Sequence, residues 1–123
     1  MVQNYVFPAT VSEAVTFLST NRGKARIIAG GTDLMLELQD GKNTCDVLVD
    51  LTQIAELKNI TEENGYIRIG ASVTHAQASK SDLILKHAPA LAQACRKVGS
   101  LQIRNMGTII GNIVTGNPAA DAA

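Results

Sequence analysis

Tryptophan is missing from this sequence, and Tyr5, Phe7, Phe17 and Tyr66 are its only aromatic residues. Exposed bases would find almost nothing to stack on. Charge of one sign is missing too: 11 Lys and Arg stand against 11 Asp and Glu, for a net charge of zero at pH 7. That removes the positive field a general phosphate-backbone binder needs, so no nucleic-acid partner is expected. The two cysteines, Cys45 and Cys95, lie 50 positions apart with no Cys-x-x-Cys pairing and no histidine at ligand spacing. They read as reduced, largely buried thiols, without a disulfide framework or a metal. No apolar run approaches the roughly 20 residues of a membrane span. The first ten residues have neither a basic start nor an apolar stretch. Neither a span nor a signal peptide is expected, and a cytoplasmic location follows.

What is present suits a packed domain. Hydrophobic residues make up 46% of the 123 and charged residues 18%. A chain of this size should expose roughly 6,300 Å² folded against about 18,900 Å² unfolded, enough burial for one core. No repeat, linker or low-complexity segment divides it. Thr10-Val11-Ser12-Glu13 fits a capping box, and Val11, Ala14, Val15 and Leu18 follow on one helical face as far as about Asn21. Arg26 to Ala29 is a short apolar strand that runs through Gly30-Gly31 into a helix starting at Thr32-Asp33. Asp46 to Asp50 reads as a strand covered on both faces, and the two strands with the helix between them suggest a βαβ unit.

Further on, Asn59-Ile60-Thr61 and Tyr66 to Ile69 flank Asn64-Gly65, whose positive φ angles close a hairpin. Thr74 and Ser81 open short helices, and Pro89 opens a longer one that buries Leu91, Ala94, Cys95 and Val98 before Gly99. From Ile103 to Pro118, β-branched residues mix with glycines, which implies a strand, tight turns and close backbone approach. The fold class is therefore α+β: an N-terminal βαβ unit over residues 1–55, joined to the start of a second, mainly antiparallel subdomain over 56–123.

Two segments could hold a ligand. At Ala29-Gly30-Gly31-Thr32-Asp33 a strand turns into a helix and aims free N–H groups at the space before it, which suits a phosphate. A Cβ at either glycine would hold that ligand away. Thr32 and Asp33 are equally at home as helix caps, and an ordinary strand-to-helix turn has the same pattern. The second segment, Gly107-Thr108-Ile109-Ile110-Gly111-Asn112 with Thr115 and Asn117-Pro118-Ala119-Ala120-Asp121, crowds uncharged hydrogen-bonding groups among glycines. It suits a large ligand held by backbone and amide contacts, or a set of turns closing a sheet. His75 and His87 read as surface or capping histidines, with no nucleophile or carboxylate beside them. Neither a catalytic residue nor a metal site is identified. A ligand site without acid, base or metal points to a cofactor that carries the chemistry itself.

Taken together, Ile27 to Leu34 and Arg104 to Ile113, with Asn117 to Asp121 after them, resemble the FAD-binding subunit of molybdenum hydroxylases. That family includes xanthine dehydrogenase and the medium subunit of aerobic carbon monoxide dehydrogenase. The opening Tyr5 to Ala14, Asp50-Leu51 and Ile69-Gly70-Ala71 are similar to it as well, so the resemblance spans the chain. It implies a PCMH-type FAD-binding fold, with FAD as the cofactor. The first half of the site would be Ile27, Ile28, Ala29, Gly30, Gly31, Thr32, Asp33 and Leu34, whose backbone from Ile28 to Asp33 and Thr32 hydroxyl wrap the diphosphate. The second half would be Gly107, Thr108, Gly111 and Asn112, with Thr115 and Asp121 reaching ribityl or phosphate-side oxygens.

The resemblance further implies partners: a large subunit carrying the molybdenum cofactor and a small subunit carrying [2Fe-2S] clusters. Electrons would pass from the clusters through the flavin to NAD or another acceptor. Two departures from the family stand out. Ile110 occupies a position where the family has glycine, and a β-branched residue would be strained if positive φ were needed there. Family members also continue well past Asp121, so the chain reads as a truncated FAD-binding domain, with an unpaired sheet edge open to self-association. The alternatives are a non-catalytic fold fragment or assembly module that no longer holds FAD, and an unrelated nucleotide-binding module.

Overall fold

The computed structural model describes residues 2–41, 44–117 and 119–122, so Pro118 of the second segment lies outside it. Three strands pair in parallel, with β1 (Asn4–Val6) and β2 (Ala25–Ile28) on either side of β3 (Val47–Asp50). All four residues of β3 are buried, which is why its apolar run is continuous and not alternating. Helix α1 (Val11–Thr20) links β1 to β2, and α2 (Leu34–Gln39) completes the β2-α2-β3 crossover anticipated above. Leu34 and Leu38, one turn apart on α2, pack on Ile28, Cys45 and Leu48 of the sheet layer.

Thr10 caps α1 by accepting the Glu13 N–H at 3.1 Å, and the Glu13 carboxylate accepts the N–H of Ala9 at 2.9 Å. The buried face of α1 is rotated from the expected one. Ala14 is buried with Phe17 and Leu18 beside it, whereas Val11 and Val15 are exposed.

In the second half, β4 (Ile60–Glu63) and β5 (Tyr66–Ile69) form an antiparallel pair. Asn64 and Gly65, at φ 51° and 83°, make its two-residue turn, as Asn-Gly predicts. Five helices follow: α3 (His75–Ser79), α4 (Asp82–His87), α5 (Pro89–Lys97), α6 (Leu101–Met106) and α7 (Ile109–Thr115). Their common core holds Val73, Ala78, Ile84, Ala92, Cys95 and Ile109, with Ile60 and Ile69 of the hairpin packed against it.

The strand and tight turns expected from Ile103 onward are instead α6 and α7. Ser100 caps α6 by accepting the Ile103 N–H at 3.2 Å, and Thr108 caps α7 by accepting the Gly111 N–H at 3.0 Å. Gly107 and Gly116 mark helix ends, the latter left-handed at φ 71°. Two caps and the burial of Ile109 outweigh the few tenths of a kcal/mol that each β-branched residue costs a helix. Ile110 sits inside α7, and Asn64 is the one non-glycine with positive φ among the described residues. The strain expected at Ile110 is absent.

The folded chain exposes 7770 Å², about a fifth more than the mass predicts. Leu101, Met106, Ile113 and Val114 of the last two helices are among the exposed apolar side chains.

Candidate functional site

The first wall begins where β2 ends. Ile28, the last residue of β2, is buried against Leu34 and Leu38, and the chain then bends through Ala29-Gly30 to Gly31, at φ 73°. Only glycine adopts this angle without strain. The Gly31 carbonyl accepts the Met35 N–H at 3.1 Å and the Asp33 carbonyl accepts the Glu37 N–H at 3.0 Å, which starts α2. Ahead of these bonds, the N–H groups of Thr32, Asp33 and Leu34 meet no protein acceptor among the described residues. They are the unsatisfied donors of a helix start, with its partial positive charge.

The second wall is held from behind. Thr74 and Thr108 form an antiparallel bridge, the His75 N–H donates to the Gly107 carbonyl at 3.0 Å, and the Ile109 N–H donates to the Val73 carbonyl at 3.3 Å. Thr108, buried, turns the chain into α7, which presents Gly111, Asn112 and Thr115. The Asn112 Oδ1 accepts the Ala122 N–H at 3.3 Å, leaving its amide NH₂ as a donor.

The two walls meet. A Cβ on Gly30 would lie 2.1 Å from the Met106 carbonyl oxygen and 2.9 Å from the Gly107 Cα. The structure gives this glycine a reason other than the expected room for a ligand: the second loop's backbone rests directly on it. Across the opening, the Thr115 hydroxyl donates to the Gly111 carbonyl at 2.9 Å and stands 3.4 Å from the Asp33 carboxylate.

Between the walls lies a cleft of about 390 Å³, within the roughly 300–1,000 Å³ usual for small-molecule sites. Ile27, Ile28, Ala29, Gly30, Gly31, Thr32, Asp33 and Leu34 line one side, and Thr108, Gly111, Asn112 and Thr115 the other. Gly107 and Asp121 are not in the lining. Gly107 is buried against the His75 ring, and Asp121 is exposed in the C-terminal turn. Arg26, Glu37 and Val114 also line the cleft and were not anticipated. Helical spacing could have revealed two of them, since Glu37 is one turn after Asp33 and Val114 is three residues after Gly111. A smaller hollow of about 320 Å³ shares Ala29, Gly30 and Thr108 with the cleft and adds Lys58, Thr74 and Asn105.

One guanidinium and two carboxylates border the cleft, so its side chains give an anion no net attraction. Main-chain and amide donors supply what attraction there is. His75 is not the surface residue expected: it is 2% exposed, and its Nδ1 has no partner among the described residues. Burial pushes its pKa below the usual 6.5. His87 is exposed, 3.7 Å from the Glu62 carboxylate.

The whole chain, residues 1–123, matches the family described as the FAD binding domain in molybdopterin dehydrogenase. It is 36% identical over 121 residues to the xanthine dehydrogenase FAD-binding subunit of Escherichia coli O157:H7, covering 98% of this chain and 41% of that one. It is 42% identical over 115 residues to the nicotinate dehydrogenase FAD-subunit of Eubacterium barkeri, covering 93% and 39%. Its fold superposes on a carbon monoxide dehydrogenase structure from Hydrogenophaga pseudoflava with a TM-score of 0.93 at 32% identity, over 99% of this chain and 42% of that one. The chain thus spans about two-fifths of the length of these relatives. No helix among the described residues is long and apolar enough to cross a membrane.

Proposed function

The chain belongs to the family of FAD-binding domains of molybdopterin dehydrogenases, and from that premise we propose that the cleft between its two loops takes the diphosphate of FAD. One observation carries the assignment: segments 76 positions apart, from Gly31 to Gly107, close on each other through the Gly30 and Met106 backbones and border a single cleft. The donor set fits a diphosphate. The N–H groups of Thr32, Asp33 and Leu34, the Thr32 hydroxyl and the Asn112 amide are neutral donors grouped around one space, which is how helix starts bind phosphate without a lysine. The Asp33 and Glu37 carboxylates would repel the phosphates, so we assign Asp33 a role through its backbone alone. Thr115 and Asp121 are proposed for ribityl or phosphate-side oxygens.

Bound FAD supplies the electron chemistry, and the residues of this chain bind and orient it. Ile27 and Leu34 line the first wall, while the Thr108 cap keeps Gly111 and Asn112 in register on the second. We infer further that residues 1–55 and 56–123 act as two subdomains that contribute one wall each. In the working enzyme we propose an oxidoreductase assembled with a molybdenum-cofactor subunit and a [2Fe-2S] subunit, in which electrons leave through this flavin to NAD or another acceptor. The relatives' names, those of FAD subunits of dehydrogenases and of an enzyme with a molybdenum cofactor, support the oxidoreductase part of that reading. Ile110, unstrained in α7, lends no support to a fold that has lost its flavin.

Incubation with excess FAD followed by desalting tests the assignment. Retention of the flavin absorbance at close to one equivalent supports it; colourless protein after exposure to saturating FAD contradicts it.

A further inference from the structure

His75 lies outside the cleft and plays no part in the assignment above, yet it underlies the second wall. It is the first residue of α3, and its N–H donates to the Gly107 carbonyl at 3.0 Å. Its ring is packed so close to the Gly107 Cα that a Cβ there would lie 3.2 Å from the His75 Cδ2 and 3.5 Å from its Nε2. The residues on either side of this contact, Thr74 and Thr108, are bridged, and Met106 immediately before it is the residue that rests on Gly30. The imidazole therefore fills the space directly behind the point where the two walls meet.

We propose that His75 is a positioning residue that holds the second wall against Gly30 only while its imidazole is neutral. This rests on the FAD reading for its ligand, and on the packing alone for its mechanism. The ring is 2% exposed, and its Nδ1 has no hydrogen-bond partner among the described residues. A neutral ring leaves one nitrogen unsatisfied. An imidazolium puts a full charge into that buried position and makes Nδ1 an N–H donor that meets no acceptor among the described residues, which costs far more.

The helices packed on α3 do not offset that charge. Arg96 and Lys97 are the charged residues of α5, Arg104 that of α6, and Asp82, Lys86 and His87 those of α4; α3 itself has none, with Lys80 at its end. In the turn Ala55–Lys58, whose Lys58 carbonyl accepts the Gln77 amide, Glu56 is held on the Val11 N–H. Arg96 is held on the Ser79 carbonyl and Arg104 on those of Val98 and Gly99, and Asp82, the one carboxylate of these helices, is exposed. The Cys95 thiol of α5 is buried, its pKa pushed up by burial, and stays neutral. Protonation is relieved only by moving the ring towards water, and the segment above it, Met106 to Thr108, moves with it. In acid the second wall leaves Gly30 and the cleft opens.

Two readouts on the 123-residue protein test this. In the first, without flavin, the His75 ring carbon and the Gly30, Gly107 and Thr108 amides are followed by NMR from pH 7.5 to 5. We expect all four to move with one apparent pKa below 6.5. Amides that stay fixed while the ring titrates, or a ring that does not titrate above pH 5, overturn the proposal. In the second, FAD affinity is measured over the same range for the wild type, His75→Gln and His87→Gln. Wild type and His87→Gln should lose affinity by up to about tenfold per pH unit below that pKa, whereas His75→Gln, unable to take the proton, should give a flat profile. The same acid loss in all three proteins overturns the proposal. Absence of FAD uptake at pH 7.5 sinks the flavin reading alone, because the amide titration decides the role of His75 without flavin. That titration needs no variant, so a poorly folding His75→Gln does not protect the idea.

Discussion

The α-carbon of Gly30 is packed so tightly against Met106 that a methyl group added to it would lie 2.1 Å from the Met106 carbonyl oxygen. Both partners in this contact are main chain, so no side chain can swing away to make room. Gly30→Ala should destabilise the protein by about 1–3 kcal/mol, the usual cost of overpacking, and should also part the two walls. Gly70→Ala is the control: its Cβ would lie 2.1 Å from the Leu57 carbonyl oxygen, and Gly70 does not line the cleft. Chemical denaturation should show comparable losses for both variants. FAD titration below their melting temperatures should show weakened binding for Gly30→Ala only.

Thr108 joins the second wall to α7 through its hydroxyl, which accepts the Gly111 N–H at 3.0 Å, and its carbonyl, which accepts the Asn112 N–H at 3.1 Å. Thr108→Ala should cost about 1 kcal/mol as a lost helix cap and weaken FAD binding, because Gly111 and Asn112 are on the turn it organises. Thr108→Ser restores the acceptor and should recover most of both losses. Melting curves and flavin titrations of the pair check this.

Ile110 gives a result opposite to the one its position suggests from sequence alone. It lies within α7, half-buried and with ordinary helical backbone. Ile110→Gly should therefore lower stability by about 1 kcal/mol or more, from helix propensity and lost burial, and should not tighten FAD binding. A Kd that falls on this substitution would mean that the side chain obstructs the cofactor after all.

The Tyr5 hydroxyl donates to the Asp50 carboxylate at 2.6 Å, tying β1 to the end of β3 beside the first wall. Partial burial first, and then the bond and charge of Asp50, push the phenol pKa up to about 12. The neutral phenol is the form that the fold favours. Its contribution is complete below pH 10, the unfolded value, and is lost as the pH rises from 10 to about 12. In a Tyr66→Phe background, the remaining phenolate absorbance should appear near pH 12 in folded protein and near pH 10 in denaturant. Tyr5→Phe should cost about 1 kcal/mol at neutral pH.

Much of this architecture could be read from local signals. The β2-α2-β3 unit declared itself through Gly30-Gly31 and the covered run of β3, and the hairpin through Asn64-Gly65, because both depend on backbone conformations that few residues adopt. β1 has three residues, too few for any periodicity. The strand expected from Ile103 onward is helix instead because Ile109, Ile110, Ile113 and Val114 favour strands as isolated residues, while Ser100, Thr108 and the burial of Ile109 decide for helix in context. The candidate loops were legible as motifs, but what Gly30 and His75 pack against was not. Both contacts join residues distant in sequence, and a capping pattern at Thr74 does not reveal which surface will cover the next ring.

The central claim is that both loops serve one ligand, and backbone amide NMR during a FAD titration tests it most directly. The account predicts that the resonances of Gly31 to Leu34 and those of Thr108 to Asn112 shift together, saturate at one equivalent and fit one dissociation constant. Shifts confined to one loop, or two loops that saturate at different flavin concentrations, would contradict it.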